Sequence, residues 1–491
     1  MTAFSQSLRR VALRQGAILR DRIRYSAAAQ IASGMWLLLK SVFPGDPSRR
    51  LAALASAHRT FLAPGWERLT RTRMIRVAPS PAVVPNPWRA GRIGWTAYPV
   101  RTVEGKTALS HGLIVKPPVS EREKGVLVVW VEYNLAALLS SACLAEILRS
   151  YRIVFSTSWS PPDFSLIWAL SGEPGAEFCI IPSNPKDEKW INAIARPLTI
   201  LPFFASHWIA DDPNARLVPH AERTYDLCVV ANWAPFKRHW LLFRALRSLP
   251  ADLKIALIGQ PESDFTLEHV QQLAEAFRVV QPIEWFNRLP AEEVRRIQAD
   301  SRVGLMLSKR EGSCLAVAES LLADAPAGVL RDAHIGSREF INEETGMLLR
   351  EDRLAQDLAT LLEGAAAGRF RPREWALREI EAGVSSSRLD TILRDLALSK
   401  GEEWTQGIKG FCLRSAVPSF LEARDAVEAE SWHRAFEADY DLVFAGPSRQ
   451  AGSAGAKVAA ERIMRESAVM SQEMNNQSPA VGGAGKPSAT A

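Results

Sequence analysis

The sequence predicts an α/β protein with two domains, each built on a parallel sheet, a basic helical extension before them and a helical segment after them. Three observations carry this expectation. The chain has 491 residues, 47% hydrophobic and 23% charged, enough to bury more than one core. Two successive series of strand-length apolar runs alternate with helix-length segments. Charge is also divided unevenly: residues 1 to 101 hold seventeen Lys/Arg against three Asp/Glu, a balance of +14 that leaves −8 for the remainder.

The first series is "GVLVVWV" (125 to 131), "YRIVFSTSW" (151 to 159), "EFCIIPSN" (177 to 184) and "LTILPFF" (198 to 204). The second is "YDLCVVANW" (225 to 233), "DLKIALIG" (252 to 259), "VVQPIEWF" (279 to 286), "RVGLMLS" (302 to 308) and "PAGVLRD" (326 to 332). Continuous apolar runs, rather than alternating ones, mark strands covered on both faces, the condition of a parallel sheet with helical crossovers. Between the series, "DDPNARLVPHAER" (211 to 223) is polar and holds two prolines, so the hinge is expected there. These signals divide the chain into a basic, mostly helical region (1 to 90), a first α/β domain (91 to 215), a second (216 to 375), a helical segment (376 to 446) and a disordered small-residue tail (447 to 491).

The basic region is arginine-rich, with Arg9, Arg10, Arg14, Arg20, Arg22 and Arg24 set among Leu8, Val11, Leu19 and Ile23. Two readings stand: attraction to an anionic membrane surface, or a solvated arginine face on helices packed against the body. The arginines lack the aromatic interleaving of a nucleic-acid module, and no nucleic-acid partner is expected. "YSAAAQIASGMWLLLK" (25 to 40) has fifteen uncharged residues between Arg24 and Lys40, short of the roughly 20 apolar residues of a spanning helix. The expectation is a cytoplasmic chain, with peripheral attachment to the inner face of a membrane as its membrane option. Five scattered cysteines, none in CxxC or Cys/His spacing, argue against a disulfide framework and a zinc site.

The candidate site lies in "SKREGSCLAVAESLLADAPAGVL" (308 to 330). Here a strand ends, Glu311 and Gly312 form a loop at the carboxyl edge of the sheet, and a helix follows with Ser313 as the expected N-cap. Open α/β sheets bind ligands at that edge. Backbone N–H groups from Gly312 through Ser313, Cys314 and Leu315 would face an anion at the helix N-terminus. Glu319, about 9 Å along the helix from Ser313, is placed to accept bonds from vicinal hydroxyls. An ordinary helix with an early glutamate has the same spacing.

This stretch resembles the E-x7-E signature of the retaining glycosyltransferases of group one, which have the GT-B fold of two Rossmann-like domains. "VVANWAPFKRHWLLFRAL" (229 to 246), "LKIALIG" (253 to 259) and "IGSREFINEETGMLL" (335 to 349) match further parts of that pattern in order, over about residues 225 to 350. The resemblance implies that Glu311 contacts the donor sugar, Glu319 the nucleotide ribose, and Lys237 the diphosphate, with Arg238 as its helper. It implies a nucleotide diphosphate sugar as co-substrate, a glycan or lipid-linked acceptor, and no metal or other cofactor. Two departures accompany it. Asn232 stands where the family has arginine, and Glu132, Tyr133 and Asn134 replace the glycine-rich loop after the first strand. A nucleotide-sugar-binding scaffold without transfer chemistry is the alternative these departures allow. "DYD" (439 to 441) and the single histidines His111, His207 and His220 are read as structural.

Overall fold

The structure is a computed structural model. It describes residues 3 to 445, apart from 44–49, 51–52, 55, 58–65, 78–101, 104, 159–163, 193–197, 213–216 and 415–416. The expected tail and the proline-rich stretch 78 to 88 lie outside the described residues.

In the basic region the structure describes α1 (Ala3–Tyr25), α2 (Ala27–Val42) and α3 (Trp66–Val77). Ser26 separates α1 from α2 and caps the second helix, its hydroxyl accepting a bond from Ala29 N–H at 3.1 Å. The first domain then runs through β1 (Thr102–Val103), β2 (Lys106–Leu109), β3 (Gly112–Lys116), β4 (Gly125–Trp130), α4 (Tyr133–Ser140), α5 (Leu144–Ser150), β5 (Tyr151–Ser156), α6 (Phe164–Ser171), β6 (Phe178–Ile181), α7 (Pro185–Asn192) and β7 (Leu198–Ile200). Its main sheet has the order β3-β4-β5-β6-β7, with β4 to β7 parallel and β3 antiparallel at one edge. Every residue of β4, β5 and β6 is buried, including Arg152 in β5, whose guanidinium pairs with Glu177 and Glu402.

The second domain holds β8 (Tyr225–Val230), α8 (His239–Leu246), β9 (Ile255–Gly259), α9 (Leu267–Phe277), β10 (Ile283–Asn287), α10 (Ala291–Ala299), β11 (Ser301–Met306), α11 (Leu315–Leu322), β12 (Ala327–Leu330), β13 (Gly346–Leu349), α12 (Leu354–Ala366) and α13 (Pro372–Glu379). All six strands are parallel, in the order β10-β9-β8-β11-β12-β13. Renumbered within the domain this is 3-2-1-4-5-6, the Rossmann order, and its direction reverses between β8 and β11. Gly304 in β11 lets α11 approach the sheet, because a Cβ there would lie 2.1 Å from Ser320 Oγ. The molecule therefore has two α/β units built on largely parallel sheets, the second in the Rossmann order.

The chain crosses between domains twice. Within the expected hinge, Asp211 pairs with Arg373 at 2.7 Å and Arg223 with Asp324 at 3.5 Å. A second crossing pairs Ile209 with Glu381 as an isolated bridge before α14 (Ala382–Ser399). Beyond it the expected helical segment holds strands as well as helices. A hairpin of β14 (Phe411–Arg414) and β15 (Val417–Phe420) precedes α15 (Ala423–Asp439), and β16 (Leu442–Phe444) pairs in parallel with β2. Phe436, Leu442 and Phe444 complete the core of the first domain, so the carboxyl-terminal segment is folded back onto it.

Candidate functional site

The site forms at the switch point of the second sheet. The turn after β8, Pro235–Lys237, delivers Lys237, and the loop after β11 delivers Glu311. Their side chains meet: Lys237 Nζ donates to Glu311 Oε1 at 2.6 Å, with both side chains 12% exposed. Lys237 also lies 5.2 Å from the centre of the Phe236 ring. Residues 74 positions apart are thus joined because β8 and β11 are neighbours in the sheet.

The loop around Glu311 is fixed from both sides. Its N–H donates to the His334 carbonyl at 3.2 Å, and Asn184 of the first domain reaches its carbonyl at 3.5 Å. Ser313 departs from the expected cap. Helix α11 begins at Leu315, and Cys314 is the capping residue, with φ of 61°. The buried Ser313 hydroxyl accepts from Ser206 N–H at 2.7 Å and lies 2.5 Å from Ser206 Oγ, tying the two domains together. The reason is tertiary: the partner lies 107 residues away.

With that start, Glu319 sits about one turn, roughly 6 Å, into the helix. Burial raises its carboxyl above the ordinary value, with Arg295 opposing. Burial also raises the Cys314 thiol, to about 12, and the charges of Glu311, Lys237 and Glu319 all act on it. Glu311 and Lys237 meet directly, and Glu319 lies one turn into the helix that follows Cys314. Leu315 packs against the hydrophobic cores of both domains.

Arg238 is 1% exposed and engaged from behind: Nε and Nη2 donate to Asp21 of α1 at 2.9 and 2.8 Å, and Nη2 pairs with Glu351 at 2.8 Å. In this structure it links the basic extension to the second domain. Its φ of 60° turns the chain from Lys237 into α8.

Several groups at the cleft were not singled out from sequence. Lys186, at the start of α7, is lowered to about 8 by burial and by the Arg310 charge. His334, bridged to Arg310 by backbone pairing, is lowered to about 4 by burial and by Lys186 and Arg310. Cations from both domains thus crowd the entrance beside Glu311. Gly336 permits this closeness, since a Cβ there would lie 2.4 Å from the Ser183 carbonyl of the first domain. Tyr25, ending α1, lies 5.8 Å from both Arg238 and Lys309, and the Glu311 charge acts on it. No local pattern in the sequence announces any of these, because each depends on the partner domain or helix.

The departures have structural occupants. Asn232 donates to Glu262 at 2.9 Å. In the first domain Glu132 accepts from Ser158 Oγ at 2.5 Å, Tyr133 Oη lies 2.6 Å from His111 Nδ1, and Asn134 donates to the Trp130 carbonyl at 2.7 Å. Val131, with φ of 67°, makes the turn that a glycine would make. His207 accepts from Phe204 N–H at 2.9 Å, and Asp441 accepts from Ser141 and from Ala142 N–H. Among the described residues, no group of three or more His, Cys, Asp or Glu is placed to hold a metal ion.

Among solved structures, the chain is similar to a sucrose-phosphate synthase from Thermosynechococcus elongatus (TM-score 0.43, 14% identity, 56% of this chain and 74% of that one). It is similar to S. aureus TarM in complex with fondaparinux, α-GlcNAc-glycerol and UDP (TM-score 0.40, 13% identity, 50% of each chain). A third is an α,α-trehalose-phosphate synthase from Burkholderia xenovorans with glucose-6-phosphate (TM-score 0.42, 16% identity, 57% and 74%). No family model matches the chain, and no curated protein does. At these scores the overlays add nothing to the topology described above.

Proposed function

We propose that the protein is a retaining glycosyltransferase that moves a sugar, of the hexose type, from a nucleotide diphosphate donor to a glycan or lipid-linked acceptor. The observation that carries this reading is the Lys237–Glu311 pair at the switch point of a Rossmann-ordered sheet, with Glu319 one turn farther along. Lys237 would hold the diphosphate, Glu311 the hydroxyls of the donor sugar, and Glu319 the ribose. Gly312, Cys314 and Leu315 would offer backbone to the ligand, while Ser313 keeps its hydroxyl on Ser206. Lys186 and Arg310 would supply positive potential where negative charge develops.

In this reaction the bond from the anomeric carbon to the diphosphate oxygen breaks as the acceptor oxygen forms its bond on the same face. The acceptor proton passes to the departing phosphate oxygen. Cationic side chains stabilise the leaving group, so the scheme uses no metal and no covalent enzyme intermediate. The proposed setting is the cytoplasmic side of a membrane.

A second reading is a nucleotide-sugar sensor without transfer chemistry. It is favoured by one observation, the Asn232–Glu262 pair where the resembling family has an arginine. A thermal-shift screen of nucleoside diphosphates and their sugars, followed by donor hydrolysis, decides between them. A transferase raises its melting temperature with one donor and hydrolyses it slowly; a sensor shows the rise alone. No stabilisation by any nucleotide overturns both.

A further inference from the structure

We propose that α1 and α2 form a docking surface for an anionic lipid bilayer, with the outward face of α2 as its apolar contact. The observations are independent of the transferase reading. Each helix uses only one side to hold the body. Ala17 and Ile18 of α1 pack on the core of the second domain, and Asp21 turns inward to Arg238. On α2, Gly34 and Ser41 are buried and Leu38 packs on the core of the first domain. α1 is thereby held to the second domain, and α2 joins the core that the basic region shares with the first.

The opposite sides carry large apolar groups in the open. On α1 these are Leu8, Val11, Leu19 and Ile23, at helical spacing. On α2 and its cap they are Ile31, Met35, Trp36, Leu39, Val42 and Phe43, a stripe along one face. All ten are between 45% and 60% exposed. Of the eighteen large hydrophobic side chains exposed among the described residues, twelve fall between Leu8 and Leu69, so this is a concentrated patch rather than ordinary surface scatter.

Charge selects the occupant. Arg9, Arg20, Arg22 and Arg24 are exposed along α1, and Lys40 stands 5.3 Å from the Trp36 ring. The one carboxylate on the described parts of α1 and α2, Asp21, is buried against Arg238, so the exposed charge is uniformly positive. A second copy would bring like charges together; anionic headgroups neutralise them while acyl chains receive the apolar stripe. Helix α2 has 16 residues, about 24 Å at the usual rise, and no helix of the described residues is long and apolar enough to cross a membrane. The helices would lie in the interface. That the acceptor is itself lipid-borne rests on the proposed transferase reading.

The test is flotation of the full chain with phosphatidylcholine vesicles and with vesicles containing phosphatidylglycerol, at low and high salt. The wild type should float with the anionic vesicles alone and dissociate as salt rises. Arg20→Gln/Arg24→Gln should weaken binding about thirtyfold, at roughly fivefold per cation near a charged surface. Trp36→Ser/Leu39→Ser should leave only weak, fully salt-reversible binding. Circular dichroism and nucleotide-induced thermal shifts unchanged from wild type would show that the variants are folded and the cleft intact, which separates failure of docking from failure of the functional reading. Wild type that stays in the heavy fraction with anionic vesicles, or floats equally with neutral ones, overturns the proposal. So does light scattering that shows a dimer dissolved by Trp36→Ser/Leu39→Ser, which would assign the patch to a second copy.

Discussion

Glu311 and Lys237 should respond to substitution in opposite directions when nucleotide binding is measured. In the empty cleft the ammonium is already held by the carboxylate at 2.6 Å, so an incoming diphosphate must share or displace Glu311. Two unit charges about 4 Å apart at an effective dielectric of about 20 interact by about 4 kcal/mol, an upper bound on the repulsion between Glu311 and a phosphate. Reduced by residual solvent screening to about 1–2 kcal/mol, its relief in Glu311→Gln should tighten nucleoside diphosphate binding roughly five- to thirtyfold. Lys237→Ala removes a charge-assisted hydrogen bond of about 1.5–3 kcal/mol and should weaken binding about ten- to 150-fold. Transfer should nevertheless fall about 10²–10³-fold in Glu311→Gln, because the carboxylate that orients the sugar is gone. Titration calorimetry with the diphosphate and single-turnover transfer with the intact donor measure the two effects. Weaker diphosphate binding by Glu311→Gln, or undiminished transfer, would refute the reasoning.

Other positions test the frame around the site. Gly336→Ala places a methyl group 2.4 Å from the Ser183 carbonyl, so the domains must separate; a loss of about 1–3 kcal/mol in thermal unfolding is expected, with slower turnover. An unchanged melting temperature would show that the contact yields freely. Asp21→Asn leaves the buried Arg238 with Glu351 as its carboxylate and should cost about 3 kcal/mol in urea unfolding, whereas a loss under about 0.5 kcal/mol would show that α1 is not anchored there. Acid should remove a separate contribution from Glu123. Burial opposes its ionisation, but bonds from Thr405, Lys116 and Gln406 hold its carboxyl down at about 2. A depressed folded value gives stability that is complete above the unfolded value near 4.5 and lost as pH falls toward 2, about 3 kcal/mol in all. Glu123→Gln should flatten that part of the pH–stability curve, and an unchanged slope would place the acid response elsewhere.

The parts of this architecture that sequence revealed are those whose cause is local. The runs at 125 to 131 and 302 to 308 are strands β4 and β11 because continuous Val, Leu and Met segments require cover on both faces. Lys237 and Glu311 were legible because a turn after one strand and a loop after another converge wherever those strands are adjacent. The burial of Arg238 was not legible because its partner Asp21 lies 217 residues earlier, on a helix with no local tie to the site. Ser313 was read as a cap for the same reason: nothing near it in sequence shows that Ser206 claims its hydroxyl. The strand β16, only three residues long, exists through pairing with β2, and its own sequence could not distinguish it from the end of α15.

The central claim is spatial: one sugar nucleotide spans Lys237, Glu311 and Glu319. A crystal structure with the nucleoside diphosphate that most raises the melting temperature tests it directly. The account predicts phosphate oxygens within hydrogen-bond distance of Lys237 Nζ and ribose hydroxyls on the Glu319 carboxylate. A diphosphate bound in another crevice, with the Lys237–Glu311 pair undisturbed, would contradict it.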